Sequence, residues 1–177
     1  MLLTKGRRHI TIDLRKADLT TDLAKLLDWR PDFVTASALF DLVSPQWLEE
    51  FIGALSKRKL PLYTVLTYDG VEEWQPAHET DAIMLTAFNA HQRRDKGFGA
   101  SAGPDATDEM VRRFRKRGYE VETAASPWKL GAKQRPLISA LTKGIAEAVR
   151  ETGTVPDDII VNWLTARESA TTGLIGH

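Results

Sequence analysis

Small residues followed by an acid, at the end of a β-prone run, mark the stretch best suited to seat a ligand. It reads Pro31-Asp-Phe-Val-Thr-Ala-Ser-Ala-Leu-Phe-Asp-Leu-Val-Ser44. Phe33 and Val34 suit a strand covered on both faces. Thr35, Ala36, Ser37 and Ala38 leave room above its carboxyl end, where ligands bind in open parallel sheets. Close packing of a neighbouring helix accounts equally well for four small residues. Asp41 is placed to receive an amino group or orient a cofactor, against the plainer roles of solvated acid or helix cap. Asp18-Leu19 offers related chemistry, an acid for an exocyclic amine beside an apolar residue for a ring face. Its rival reading is a helix N-terminal aspartate favoured by the macrodipole.

Other motifs carry less. Lys96-Gly-Phe-Gly-Ala-Ser-Ala-Gly103 looks like a phosphate cradle, but a helix precedes it and its glycine spacing is wrong for a dinucleotide fingerprint. It lacks the Gly-Lys-Ser or Gly-Lys-Thr ending of a Walker loop, so a flexible lid or a helix–helix connection is expected. Arg112-Arg-Phe-Arg-Lys-Arg117 is the one dense basic run, read as a solvated helix face rather than a nucleic-acid stripe. His9, His78, His91 and His177 show no metal-ligand spacing. His78 near Glu79 and Asp81 is the nearest approach to an oxygen-rich site, and His91 reads equally as a partly buried core residue. No serine sits in a nucleophile elbow, and the chain has no cysteine. No metal site and no catalytic side chain are assigned.

The elements that must position these groups follow from periodicity. Alternation over His9–Leu14 predicts a strand, and Asp18–Leu27 turns helical with Thr20 or Thr21 as cap. The Pro31 strand comes next, then Ser44-Pro45, a helix-start signal. Trp47, Leu48, Phe51, Ile52 and Leu55 recur at helical spacing up to Arg58. Leu60–Tyr68 predicts a second parallel strand, joined to the first through that helix in a βαβ unit. Helices are expected over Asp81–Arg94, Thr107–Lys116, Arg135–Thr152 and Pro156–Ala170. Tyr119–Ala125 alternates like a strand, and the tail from Thr171 starts like one. One α/β domain over residues 1–177 is the reading.

Lysine plus arginine and aspartate plus glutamate each total 24, so no net field attracts nucleic acid or an anionic membrane. The first nine residues lack the apolar run of a signal peptide. No stretch approaches the roughly 18 apolar residues of a membrane span. A cytoplasmic protein is expected.

The order of these features resembles the class I methyltransferases that use S-adenosylmethionine. The residues carrying the likeness are Asp18-Leu19, Val34-Thr-Ala-Ser-Ala-Leu39 and the strand Leu62–Tyr68. Phe88-Asn-Ala-His-Gln-Arg-Arg-Asp-Lys-Gly-Phe-Gly99 and Ser126-Pro-Trp-Lys-Leu130 further resemble a bacterial branch of small-molecule-type methyltransferase-domain proteins. The resemblance implies that Asp18 accepts the adenine amino group and Leu19 packs on its ring. Thr35, Ala36 and Ser37 would lie under the methionine and ribose portion, with Asp41 nearby. Tyr68, His91, Lys96 and Phe98 would border the pocket of a small-molecule methyl acceptor, closed by Trp128.

The family's glycine-rich loop and its ribose-binding carboxylate have no counterpart before His9. The chain therefore reads as a partial Rossmann-like methyltransferase sheet with flanking helices, lacking the first two strands. The family's strands lie in the order third, second, first, fourth, fifth, seventh, sixth. Without the first two, the Pro31 strand becomes an exposed apolar edge. Weak cofactor binding is expected, and the chain is expected to rearrange, to pair with a second copy or a partner chain over that edge, or to be the product of a degraded gene. The alternative is a non-catalytic interaction protein that keeps the fold remnant as a dimerisation surface.

Overall fold

The computed structural model describes residues 1–177. Contacts divide the chain into Met1–Pro31 and Asp32–His177. In the first unit, strand β1 (Leu2–Lys5) pairs antiparallel with β2 (Arg8–Thr11). Gly6, at φ +60°, lets the chain reverse between them. The expected strand at His9–Leu14 thus ends at Thr11 and belongs to a hairpin whose first arm the alternation did not reveal. Both arms are exposed along their length. Helix α1 is shorter than expected, Leu23–Leu27, with Asp22 at its N-cap instead of a threonine. Arg15 stacks over the Trp29 ring at 4.2 Å.

The second unit is mixed α/β. Strand β3 (Val34–Ser37) runs parallel to β4 (Leu62–Val65), with Val34 opposite Leu62 and Ser37 opposite Val65. The small residues are the strand itself rather than a crest beyond it. The strand is not buried on both faces either: Phe33 is 58% exposed, and Thr35 and Ser37 face solvent. With only β4 beside it, β3 has the free edge expected of it, and it is the Thr35–Ser37 face that lacks the cover the apolar pattern implied.

Helix α2 (Pro45–Arg58) joins the two strands. Ser44 caps it, its Oγ accepting the Trp47 N–H at 3.1 Å, and Pro45 needs no partner for the N–H it lacks. Lys59 ends it in the left-handed conformation. The predicted stripe from Trp47 to Leu55 is buried, together with Phe40 and Val43.

A second sheet has three antiparallel strands in the order β5 (Glu72–Gln75), β7 (Thr172–Ile175), β6 (Trp128–Leu130). Backbone bonds between Gly176 and both Asp69 and Val71 carry the β5–β7 pairing back toward β4. Strand β5 escaped the sequence reading because only Trp74 of its four residues is buried. Residues 119–125 form no strand: most are exposed, and the ladder starts at Trp128. The tail is the middle strand, and Gly173 is required there because a Cβ would stand 2.6 Å from the Trp74 ring.

Helices α3 (Asp81–Gln92), α4 (Ala106–Lys116), α5 (Arg135–Thr152) and α6 (Asp157–Arg167) fall close to expectation. The core gathers Tyr68, Trp74, Met84, Ile138, Ile145, Val149, Ile160, Trp163 and Ile175. The basic run on α4 is partly tied down rather than freely solvated. Arg113 reaches Glu49 of α2 at 2.5 Å and Glu109 at 2.7 Å, and Arg117 also bonds Glu49. No helix is long and apolar enough to cross a membrane.

Candidate functional site

The two parallel strands end in the same backbone device. Ala38, just past β3, and Leu66, just past β4, both take positive φ, at 52° and 59°. Side chains other than glycine pay for that conformation, and such outliers gather where a surface is shaped for a ligand. Ala38 stays tethered to β4 through its N–H and the Val65 carbonyl, at 3.2 Å. The chain then enters a 3-10 turn, Phe40–Leu42, which sends Phe40 fully into the core. Asp41 is left half-buried beside the strand tips.

The Asp41 carboxyl is favoured in its charged form by the backbone N–H groups of Asp41 and Tyr68 and by His177. Burial outweighs these and pushes its pKa up. Its Oδ1 is buried without a hydrogen-bond partner, and so is Nδ1 of His177. His177 is held by its carbonyl, which accepts the Ser126 N–H at 2.9 Å, and by Trp128, whose ring centroid lies 5.1 Å from the imidazole. Two unpaired polar atoms on electrostatically coupled side chains are costly unless a third group bridges them.

Tyr68 extends the cluster on the other side. Its hydroxyl lies 2.9 Å from Asn89 Oδ1 and 3.3 Å from Glu72 Oε1, and its ring meets Phe88 edge-on at 5.8 Å. Asn89 in turn donates to the Gly70 carbonyl at 3.0 Å. Burial, then the charge of Glu72, pushes the Tyr68 phenol far up and keeps it a donor. Burial raises the Glu72 carboxyl to about 7, against hydrogen bonds from Tyr68 and Trp74 that pull it down. A buried carboxyl poised near neutrality and hydrogen-bonded to a phenol is a group suited to exchanging protons.

Asp41, Tyr68 and Trp128 are therefore joined through shared partners. Thr35, Ala36 and Ser37 lie on the strand leading into the turn that carries Asp41. His91 and Lys96 form a different group. His91 is buried, with Nε2 3.0 Å from Glu151 and Nδ1 3.4 Å from the Lys96 ammonium. Glu151 also pairs with Arg94, so this set fastens α3 to α5. Phe98 packs edge-on against Trp47 at 5.4 Å.

The glycine loop is a connection, and it is tied down rather than free as a lid. Asp95 Oδ1 accepts the N–H groups of Gly97 and Gly99, while Ser101 Oγ bonds the carbonyls of Leu42 and Arg94. Ala102 N–H reaches the Val43 carbonyl at 2.8 Å. In the first unit, Asp18 is a turn residue, its Oδ1 accepting both the N–H and the hydroxyl of Thr20. Leu19 is half-buried.

Glu72, Asn89 and His177 were not singled out as site residues from sequence. Only Asn89 carried a signal, through the Phe88–Gly99 motif. His78 makes no metal site: its Nδ1 bonds the Thr80 hydroxyl at 2.8 Å. No three histidine, aspartate or glutamate side chains converge on a common point. Comparison of the chain with protein-family models, with curated proteins and with solved structures finds no match in any of the three.

Proposed function

We propose that residues 32–177 provide the acceptor side of a domain that transfers a methyl group from S-adenosylmethionine to a small molecule. Strand order carries the reading. β3 lies beside β4, the ribbon from Asp69 through β5 lies beside β7, and β7 lies beside β6. β3–β4 and β5–β7–β6 are separate sheets, so what supports the fourth, fifth, seventh, sixth succession of the resemblance is the middle place of the tail strand, between the ribbon that follows β4 and β6. The left-handed residues at both parallel strand tips add to it, because they shape the rim where a doubly wound sheet takes its ligand.

The residues present suit one part of S-adenosylmethionine. Thr35, Ser37 and Ala38 are small and exposed, which leaves room for the methionine and ribose portion. Asp18 adds little for adenine, because one carboxylate oxygen is already committed to Thr20. Residues 1–177 hold no glycine loop that follows a strand, so the hold on the methionine end is weak. When bound, the molecule supplies an electrophilic methyl group.

The side chains described above then do three things. Asp41 and His177 take the proton released by a hydroxyl or amine acceptor. The Tyr68 hydroxyl, fixed by Asn89, orients that acceptor. Trp128 excludes water, and alignment supplies most of the acceleration. Titrating S-adenosylmethionine while following backbone amides by NMR tests this. Millimolar-range shifts centred on Thr35–Asp41 are expected. Shifts absent there, or spread evenly over the surface, overturn the reading.

The outer edge of β3 favours a second reading, a non-catalytic interaction protein. That edge has no strand beside it, and Phe33 and Tyr63 nearby are 58% and 64% exposed. Free edges of this kind invite another strand. Light scattering separates the two: a single defined dimer supports the interaction protein, whereas a monomer or a polydisperse mass counts against it.

A further inference from the structure

A groove of about 250 Å³ between α5 and α6 lies outside everything described so far. Its walls come from one stripe of α5, Arg135, Ser139, Thr142 and Lys143, from Arg167 at the end of α6, and from Glu168 just beyond it. Burial separates a floor from a rim. Thr142 and Arg167 are 2% and 3% exposed, while Arg135, Ser139, Lys143 and Glu168 are exposed.

Arg167 is the informative residue. Its side chain is almost fully enclosed, at 1% exposure. One guanidinium nitrogen donates to the Pro76 carbonyl at 3.0 Å, and another pairs with Asp81 at 3.4 Å. Nε–H has no acceptor at all and is buried. A buried donor left unsatisfied is costly, and an ion or water held against it is one way a fold relieves the cost.

The surroundings select an ion. Arg135 and Lys143 stand at the rim without ion pairs, and Glu168 is the one acid of the groove. Asp81 already serves Arg167 and the Trp163 indole. Eight residues of helix separate Arg135 from Lys143, about 12 Å, a span that two long side chains close around a phosphate-sized group. The Ser139 hydroxyl adds a donor between them.

We infer that the α5–α6 groove binds a small tetrahedral oxyanion, inorganic phosphate or the phosphate of a phosphomonoester, between Arg135, Lys143 and the buried Arg167. Arg167 anchors the site from below, and the two rim cations enter only when the anion arrives. The inference does not depend on the methyl-transfer reading, since none of these residues belongs to the Asp41 cluster.

The test uses the whole chain. Inorganic phosphate is titrated at constant ionic strength set with chloride, following the Arg167 Nε–H signal and the thermal midpoint. A saturable shift of that signal and a rise in midpoint are expected. The double variant Arg135→Gln/Lys143→Gln changes exposed side chains only, and it is expected to weaken phosphate binding at least tenfold. A glycerol phosphate titration distinguishes the sources: tighter binding than inorganic phosphate identifies a phosphomonoester site, and equal or weaker binding identifies a free-anion site. A linear, non-saturating response, or equal responses in parent and double variant, overturns the inference.

Discussion

Replacing Asp81 by alanine is expected to cost about 3–5 kcal/mol of folding stability. Asp81 opens α3, and its carboxylate serves three donors. Oδ2 accepts the His78 N–H at 2.7 Å, and Oδ1 accepts the Trp163 indole at 2.7 Å and faces Arg167 at 3.4 Å. Trp163 and Arg167 are both buried, at 1% and 3% exposure. Alanine leaves a buried guanidinium without its counter-ion and an indole N–H without an acceptor. The penalty comes from the groups left behind rather than from the pair's own attraction.

Urea unfolding measures it. For a chain of this length the thermal midpoint should fall by roughly 2–4 °C per kcal/mol. The double variant Asp81→Ala/Arg167→Met is expected to recover part of the loss, because the stranded charge is gone. A single variant within about 1 kcal/mol of the parent would mean that Arg167 finds its compensation elsewhere.

Glu72 is expected to make the protein less stable as pH rises toward neutrality. Its folded pKa is about 7, against 4.5 for the unconstrained carboxyl. Between those values the native state keeps a proton that the unfolded chain has released. Stability therefore falls as pH rises through that window, by at most about 3 kcal/mol at 1.36 kcal/mol per unit. Asp41, also raised, acts in the same direction.

The lowered carboxyls act in the opposite sense. Glu49 and Glu109 beside their arginines, and Glu151 beside His91, lose their contributions only at more acid pH, as it falls through their folded values. Denaturant unfolding at about pH 5 and about pH 8 separates the effects. Glu72→Gln should flatten most of the parent's decline, since the amide keeps the Tyr68 contact without titrating. An unchanged slope would move the responsible group elsewhere.

The helices were legible because each declares itself within a few residues. Ser44-Pro45 starts α2, the stripe from Trp47 to Leu55 faces it inward, and the Arg135–Thr152 pattern returns α5. Capping and a 3.6-residue period are local, so no distant neighbour is needed to read them. Strands are completed by partners far along the chain. That is why nothing within β1 or β5 alone predicts a strand, alternation over residues 119–125 predicts one that does not form, and Phe33, apolar and β-prone, lies exposed.

The candidate site divides the same way. The types and order of residues around Thr35–Asp41 by themselves made that segment the place to look, since small side chains and a nearby acid are visible in one stretch. Joining Asp41 to Tyr68, Trp128 and His177 required the antiparallel return of β7, which brings the end of the described chain back beside Asp69. His91 and Lys96, close to Asn89 in sequence, turned instead toward Glu151 on α5. Neighbours in sequence set a residue's chemistry. Which buried atoms go unpaired, and near which charges, is decided only when distant segments pack and exclude water.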